Sequence, residues 1–205
     1  MSCDFELGEP LHLTNDGGIY RIINHNYNKH TKIPNIAVKL IDPSENTNYK
    51  KEIIITKIAS DSEISPKVFD SCTVKLDGKL MYGLVFEYLD NAKTLDYILN
   101  DKKLNKRIVS EIKILLDVMY NNGIIHNDLH GENVLFNKSG RPYLIDFGMS
   151  ELKKQRIPSN KRDYIIELSG PGYPVILNLK DETLTKIVFN RRTFKTTEEV
   201  FDIKD

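Results

Sequence analysis

Apolar residues along the 205-residue chain follow two different periods. Up to about position 90 they come in short runs bounded by turn residues, which is the pattern of strands. Leu11 and Leu13 lie before Asn15-Asp16-Gly17-Gly18, and Ile22 and Ile23 follow it, predicting strand, turn and strand. Ile36 to Ile41 is an apolar run broken by one lysine, and Tyr49 to Ala59 reads as a helix. Val68-Phe69, Cys72 to Leu76 and Leu80 to Leu89 read as strands, with Asp77-Gly78 as a hairpin turn. Beyond Leu89 the chain is polar and helix-prone from Asn91 to Asn100. Ile108, Ile112, Leu115, Leu116 and Met119 then repeat at helical spacing within Arg107 to Tyr120, and Asn121-Asn122-Gly123 ends that helix. Val134 to Phe136 and Tyr143 to Ile145 are short strands joined by a polar turn, Asn137 to Pro142. The stretch Gly170-Pro171-Gly172-Tyr173-Pro174 reads as loop. The pattern predicts an α+β chain of two lobes: a β-rich one over residues 1–88 and a mainly helical one over 89–205.

Composition narrows this picture. Twenty-nine basic and twenty-nine acidic side chains give zero formal net charge, so no global field draws in nucleic acid or an anionic membrane, and no basic patch for nucleic acid is evident. Cys3 and Cys72 lack any close spacing and read as free thiols of a reducing compartment. Met1 to Pro10 carries Asp4, Glu6 and Glu9 rather than a basic start with an apolar run. No stretch reaches the roughly 18 apolar residues of a spanning helix. The expectation is a soluble, cytoplasmic protein without a membrane segment.

Candidate chemistry concentrates between Ile125 and Phe147. His126, Asp128 and Asn133 form an H-x-D-x-x-x-x-N string, and Asp146 heads an Asp-Phe-Gly triplet. Any one Asp or Asn there could serve only a loop's turn chemistry. The ordered set points to phosphoryl transfer, which is mostly positioning and charge neutralisation. Asp128 would orient or deprotonate an attacking hydroxyl. Asn133 and Asp146 offer the hard oxygen ligands that Mg²⁺ prefers, and the predicted hairpin would bring both to one end.

Other residues fit around that set. Lys39 interrupts an apolar strand, so it either faces solvent at an edge or meets a carboxylate and a phosphate, because burying an unpaired ammonium is costly. Glu52, thirteen residues on in the predicted helix, is the candidate partner, with Glu45 as an alternative. Gly17 and Gly18 would let a turn approach phosphate oxygens, although the same residues suit an ordinary hairpin. Glu87 and Leu89, where a strand leaves its sheet, would offer backbone groups to an adenine edge, with Ala37 and Leu135 sandwiching the ring.

These residues resemble the protein-kinase-like superfamily from about Gly17 to Asp163. Within it, the chain is similar to very short atypical serine/threonine kinases such as the kinase subunit of the KEOPS complex. The string Asp128-Leu129-His130 is similar to aminoglycoside and choline phosphotransferases. The resemblance implies ATP and Mg²⁺ as cofactors and a protein or small hydroxyl compound as acceptor, with any further protein partner unspecified. It also implies that Lys39 contacts the α- and β-phosphates and pairs with a helix glutamate. His126 would pack under the Asp-Phe-Gly segment without a catalytic role, and Asp163 would be a helix aspartate bracing the catalytic loop. A small-molecule kinase and a nucleotide-binding pseudokinase are the alternatives to a serine/threonine kinase.

Overall fold

The computed structural model describes residues 5–14, 17–25, 35–101, 103–170, 173–190 and 195–204. The chain divides into two compact units, Met1–Asp90 and Asn91–Asp205.

Among the described residues the first unit is one antiparallel sheet and one helix. Strands β1 (Phe5–Thr14), β2 (Gly17–His25), β3 (Ile36–Ile41), β4 (Val68–Leu76) and β5 (Lys79–Glu87) lie in the order β1-β2-β3-β5-β4. The alternation expected of a half-buried sheet is visible in its core: Ile22, Ile36, Val38, Leu40, Cys72, Met81 and Val85 are all buried together. Asp77 and Gly78 both have positive φ, 50° and 81°, the geometry of a type I′ hairpin turn between β4 and β5. Helix α1 (Tyr49–Asp61) buries Glu52, Ile55 and Ala59, which recur at spacings of three and four along one face. Cys72 is disulfide-bonded and not a free thiol. This corrects the sequence expectation and removes the cysteine argument for a reducing compartment; Cys3 lies outside the described residues.

The second unit starts with a two-residue strand β6 (Lys93–Thr94), whose Thr94 hydroxyl caps helix α2 (Leu95–Asn100) by accepting from the Tyr97 N–H. Helix α3 (Lys106–Asn121) is capped by Asn105, whose side chain accepts from the Ile108 N–H at 3.1 Å. Its buried stripe of Val109, Ile112, Leu116 and Met119 is fully enclosed, and Leu116→Ala would cost about 2–5 kcal/mol. Gly123, at φ 73°, ends the helix; a Cβ there would come within 2.5 Å of the Lys153 carbonyl oxygen. Strand β7 (Ile124–Ile125) pairs with β10 (Glu151–Leu152), and β8 (Val134–Phe136) pairs with β9 (Pro142–Leu144) and β6.

The mainly helical character expected of this half is confined to α2 and α3. Strands β11 (Ile165–Gly170), β12 (Tyr173–Asn178), β13 (Thr183–Asn190) and β14 (Lys195–Asp202) form a four-stranded antiparallel sheet. The α+β class stands, but among the described residues no α-helix follows Asn121, only single 3-10 turns at Gly131–Asn133 and Ser159–Lys161. Ile166, Leu168, Val175 and Leu177 are buried on one face of this sheet, while Ile165, Glu167 and Ser169 alternate outward. The glycine-rich stretch read as plain loop is a hairpin: Gly170 pairs with Tyr173 across two residues that lie outside the described set. No helix among the described residues is long and apolar enough to cross a membrane.

Candidate active site

In the first unit, β3 sits between β2 and β5, and Lys39 pairs in register with Ile19 and Leu84. Its strand neighbours are buried, and the lysine itself is partly exposed. The Lys39 ammonium meets Glu52 Oε1 at 2.6 Å. The carboxylate is nearly inaccessible, with 3% of its side chain exposed, and its second oxygen accepts from Asn46 Nδ2 at 3.2 Å. Glu45, the alternative partner, is exposed in the turn before α1. Burial rules out an unpaired Glu52, and the strand lysine supplies the counter-charge.

Gly17 and Gly18 stand inside β2, at its start, rather than in a loop. Gly17 has φ 149°, and a Cβ on it would fall 2.0 Å from the Leu40 carbonyl oxygen, so the close approach of β2 to β3 already demands glycine there. A Cβ on Gly18 would lie 2.9 Å from the His12 carbonyl oxygen. Asn15 and Asp16, the turn between β1 and β2, lie outside the described residues. Ala37 is fully buried. Glu87 donates its N–H to the Lys67 carbonyl at 2.8 Å, which leaves its carbonyl as the group able to receive a base edge, and Leu89 is half-buried just beyond β5.

In the second unit the chain from Ile125 to Ser150 folds back on itself twice. Asn137 makes the hairpin turn by accepting from the Ser139 and Arg141 N–H groups with its side chain. Val134 pairs with Leu144, and the Ile145 N–H donates to the Asn133 carbonyl at 3.1 Å, so Asn133 and Asp146 leave the same end of the hairpin. Leu135 is half-buried on β8. Asn133 Nδ2 donates to both the backbone carbonyl (3.0 Å) and the carboxylate Oδ2 (3.2 Å) of Asp128, and lies 2.8 Å from His130 Nε2. The amide nitrogen is thus committed to Asp128 and His130, and the amide oxygen is the end that can face a cation. Asp146 is exposed, with φ 60°. Asn127, also at positive φ, donates its side-chain amide to the Met149 carbonyl. Among the described residues no three His, Cys, Asp or Glu side chains form a metal cage. One amide oxygen and one carboxylate suit Mg²⁺, which keeps waters and shares substrate phosphate oxygens.

His126 is buried beneath this loop, its Nε2–H donating to the Ile145 carbonyl at 2.9 Å and its ring 5.0 Å from that of Phe147. Burial pushes its pKa below the ordinary 6.5. The Ser150 hydroxyl donates to the His126 carbonyl, tying both ends of the segment together.

Three supports escaped sequence reasoning. Asp96, buried in α2, accepts from the Ser169 N–H at 2.9 Å, and a Cβ on Gly131 would come within 1.8 Å of the same carboxylate. The Glu167 N–H donates to the Leu129 carbonyl at 3.4 Å, and β11 bridges to His130, so the new sheet holds the loop carrying Asp128. Arg162 pairs with Asp117 at 2.5 Å and Asn121 at 2.6 Å. Asp163 is not a helix residue: it lies on irregular chain before β11 and its carboxylate accepts from the Ile165 N–H. The loop is braced by Asp96 and β11 instead.

Comparison with known proteins fits this geometry. The family model described as "Protein kinase domain" matches residues 14–166, well over half of the chain. The chain is similar to protein kinase kin1 of Schizosaccharomyces pombe, 37% identical over 79 residues, covering 37% of this chain and 9% of that protein. It is 27% identical over 159 residues to the serine/threonine-protein kinase greatwall of Xenopus tropicalis, covering 75% and 17%. It is 28% identical over 141 residues to the carbon catabolite-derepressing protein kinase of Secale cereale, covering 64% and 27%. The chain thus spans less than a third of the length of each of these relatives. With the paired Lys39 and Glu52, the loop of Asp128 and Asn133, and Asp146 at the end of its hairpin, the chain belongs to the protein kinase domain family.

Proposed function

We propose that the protein transfers the γ-phosphoryl group of Mg-ATP to the hydroxyl of a serine or threonine in a protein acceptor. The observation that carries this reading is the gathering of Asp128, Asn133 and Asp146 around one loop and one hairpin end, with Asn133 bonded directly to Asp128. Asp128 is the group that accepts the acceptor hydroxyl's proton. Its 43% exposed side chain stays open to substrate, while the Asn133 amide fixes its orientation. The Asn133 amide oxygen and the Asp146 carboxylate are the groups that would hold Mg²⁺, whose charge would neutralise the phosphates. Lys39, oriented by Glu52, supplies a cation to the α- and β-phosphate oxygens. Gly17 and Gly18 contribute backbone beside them, and Ala37, Leu135, Glu87 and Leu89 serve the adenine. The intact set speaks against a pseudokinase.

The test is transfer of label from γ-labelled ATP with Mg²⁺, offered protein acceptors and, separately, a pool of hydroxyl metabolites. Label on protein that vanishes in Asp128→Ala is the expected result. Label confined to the metabolites would replace this reading with a small-molecule kinase, and no label dependent on Asp128 would leave only nucleotide binding.

A further inference from the structure

The family match ends at Ile166, so nearly all of the sheet β11–β14 lies beyond it. An open-sided cleft of about 700 Å³ runs along one face of this sheet, walled by His130 and Glu132 of the loop and by Glu167 and Ser169 of β11, with Ile176 of β12 and Ile187 of β13 as its floor. That volume lies within the roughly 300–1,000 Å³ of ligand sites. The cleft begins at the chemistry: His130 Nε2 is 3.6 Å from Asp128 Oδ2, and Glu167 is tethered by its N–H to the Leu129 carbonyl. Its lining has two formal charges of one sign. Glu132 and Glu167 are exposed, and among the described residues no lysine or arginine lines the cleft and neither carboxylate has an ion-pair partner.

Resting on the phosphotransferase reading, we infer that this face of β11–β13 is the acceptor-docking surface, and that it takes an extended serine- or threonine-containing peptide with an arginine or lysine close to the hydroxyl. The two unpaired carboxylates supply the counter-charge. The isoleucine floor suits the aliphatic stem of a long basic side chain, which lies along apolar surface while its head stays wet. An open side lets a chain enter and leave, as an enclosed metabolite pocket would not. The sheet thereby takes over acceptor binding in the part of the chain that the family match does not reach.

The test is a peptide series with one serine and arginine, alanine or glutamate at each flanking position, measured as kcat/KM with the full chain. The wild type should favour arginine, and the arginine-over-glutamate preference should fall by roughly three- to tenfold in Glu167→Lys, because attraction at an exposed site becomes repulsion. Glu132→Lys, on the opposite wall, should act in the same direction. Glu9→Lys, the same charge change on β1, should leave the preference as it is. Wild-type transfer to peptides with no arginine preference, or a preference that both cleft variants retain, would overturn the inference while leaving the kinase reading intact. Transfer to cationic amino alcohols alone would overturn the peptide assignment. No transfer to any acceptor would sink both readings.

Discussion

Removing the Glu52 charge strikes the first unit where burial and chemistry meet. In Glu52→Gln the amide keeps the shape but loses the charge that faces the Lys39 ammonium at 2.6 Å. Breaking one side of a fully buried pair costs about 3–5 kcal/mol. Lys39 keeps 21% of its side chain exposed, so water recovers part of that loss and about 2 kcal/mol is the expected destabilisation. For a chain of this size each kcal/mol moves the unfolding midpoint by roughly 2–4 °C, giving a drop of about 4–8 °C by differential scanning fluorimetry or calorimetry. Phosphoryl transfer should fall further than stability does, because a lysine without its carboxylate no longer holds its place at the phosphates. Glu45→Gln, in the exposed turn, serves as the matched control and should shift neither quantity. A Glu52→Gln protein with wild-type melting and wild-type transfer would refute the pairing argument.

Other consequences can be measured independently. Gly131→Ala places a methyl against the Asp96 carboxylate, and overpacking of this kind should cost about 1–3 kcal/mol in urea unfolding; a neutral result would mean that α2 and the loop are not in contact. His126 is held neutral by burial. Well above pH 6.5 it adds no slope; as pH drops through 6.5 toward the lowered folded-state value the unfolded chain takes up the proton first, so stability falls across that window. Subtracting the pH profile of His126→Gln should remove that part of the slope, and identical profiles would contradict the burial assignment. Between Phe147 and β11 the Ser150 hydroxyl is fully buried and bonded to the His126 carbonyl, the Tyr164 hydroxyl is bonded to Asp117, and Ser159 is the one freely exposed hydroxyl of a short segment. Activity should therefore survive phosphatase treatment, and its loss would reveal activation by phosphorylation.

What the sequence disclosed follows from the range of each signal. Asn133 and Asp146 were readable because turn residues between two apolar triplets predict a short hairpin, and a hairpin fixes where its ends meet. Lys39 was readable because an ammonium among Ile36, Ala37, Val38, Leu40 and Ile41 needs a partner. The sheet β11–β14 was not. Its inner face carries Ile166, Leu168, Val175 and Leu177, but the outer face mixes Ile165, Ile176 and Ile187 with Glu167 and Ser169, so apolar residues occur on both sides and the period of two is blurred. Asp96 was invisible for a different reason. Its partners Gly131 and Ser169 lie far along the chain, and one acidic residue in a six-residue helix has no local signature of burial. Asp163 shows the opposite error, a role carried over by resemblance to a residue whose carboxylate only caps its own chain.

The most direct measurement is single-turnover phosphoryl transfer at saturating Mg-ATP for the wild type and Asp128→Asn, alongside nucleotide affinity by titration. The isosteric amide keeps the loop's shape but cannot accept the hydroxyl proton, and general-base catalysis contributes roughly 10²–10⁴-fold. Transfer should drop by about 100-fold or more while ATP affinity changes little. Equal transfer by the two proteins would contradict the role given to Asp128, and absence of transfer from both, with ATP bound, would show a nucleotide-binding member of the family that does no chemistry.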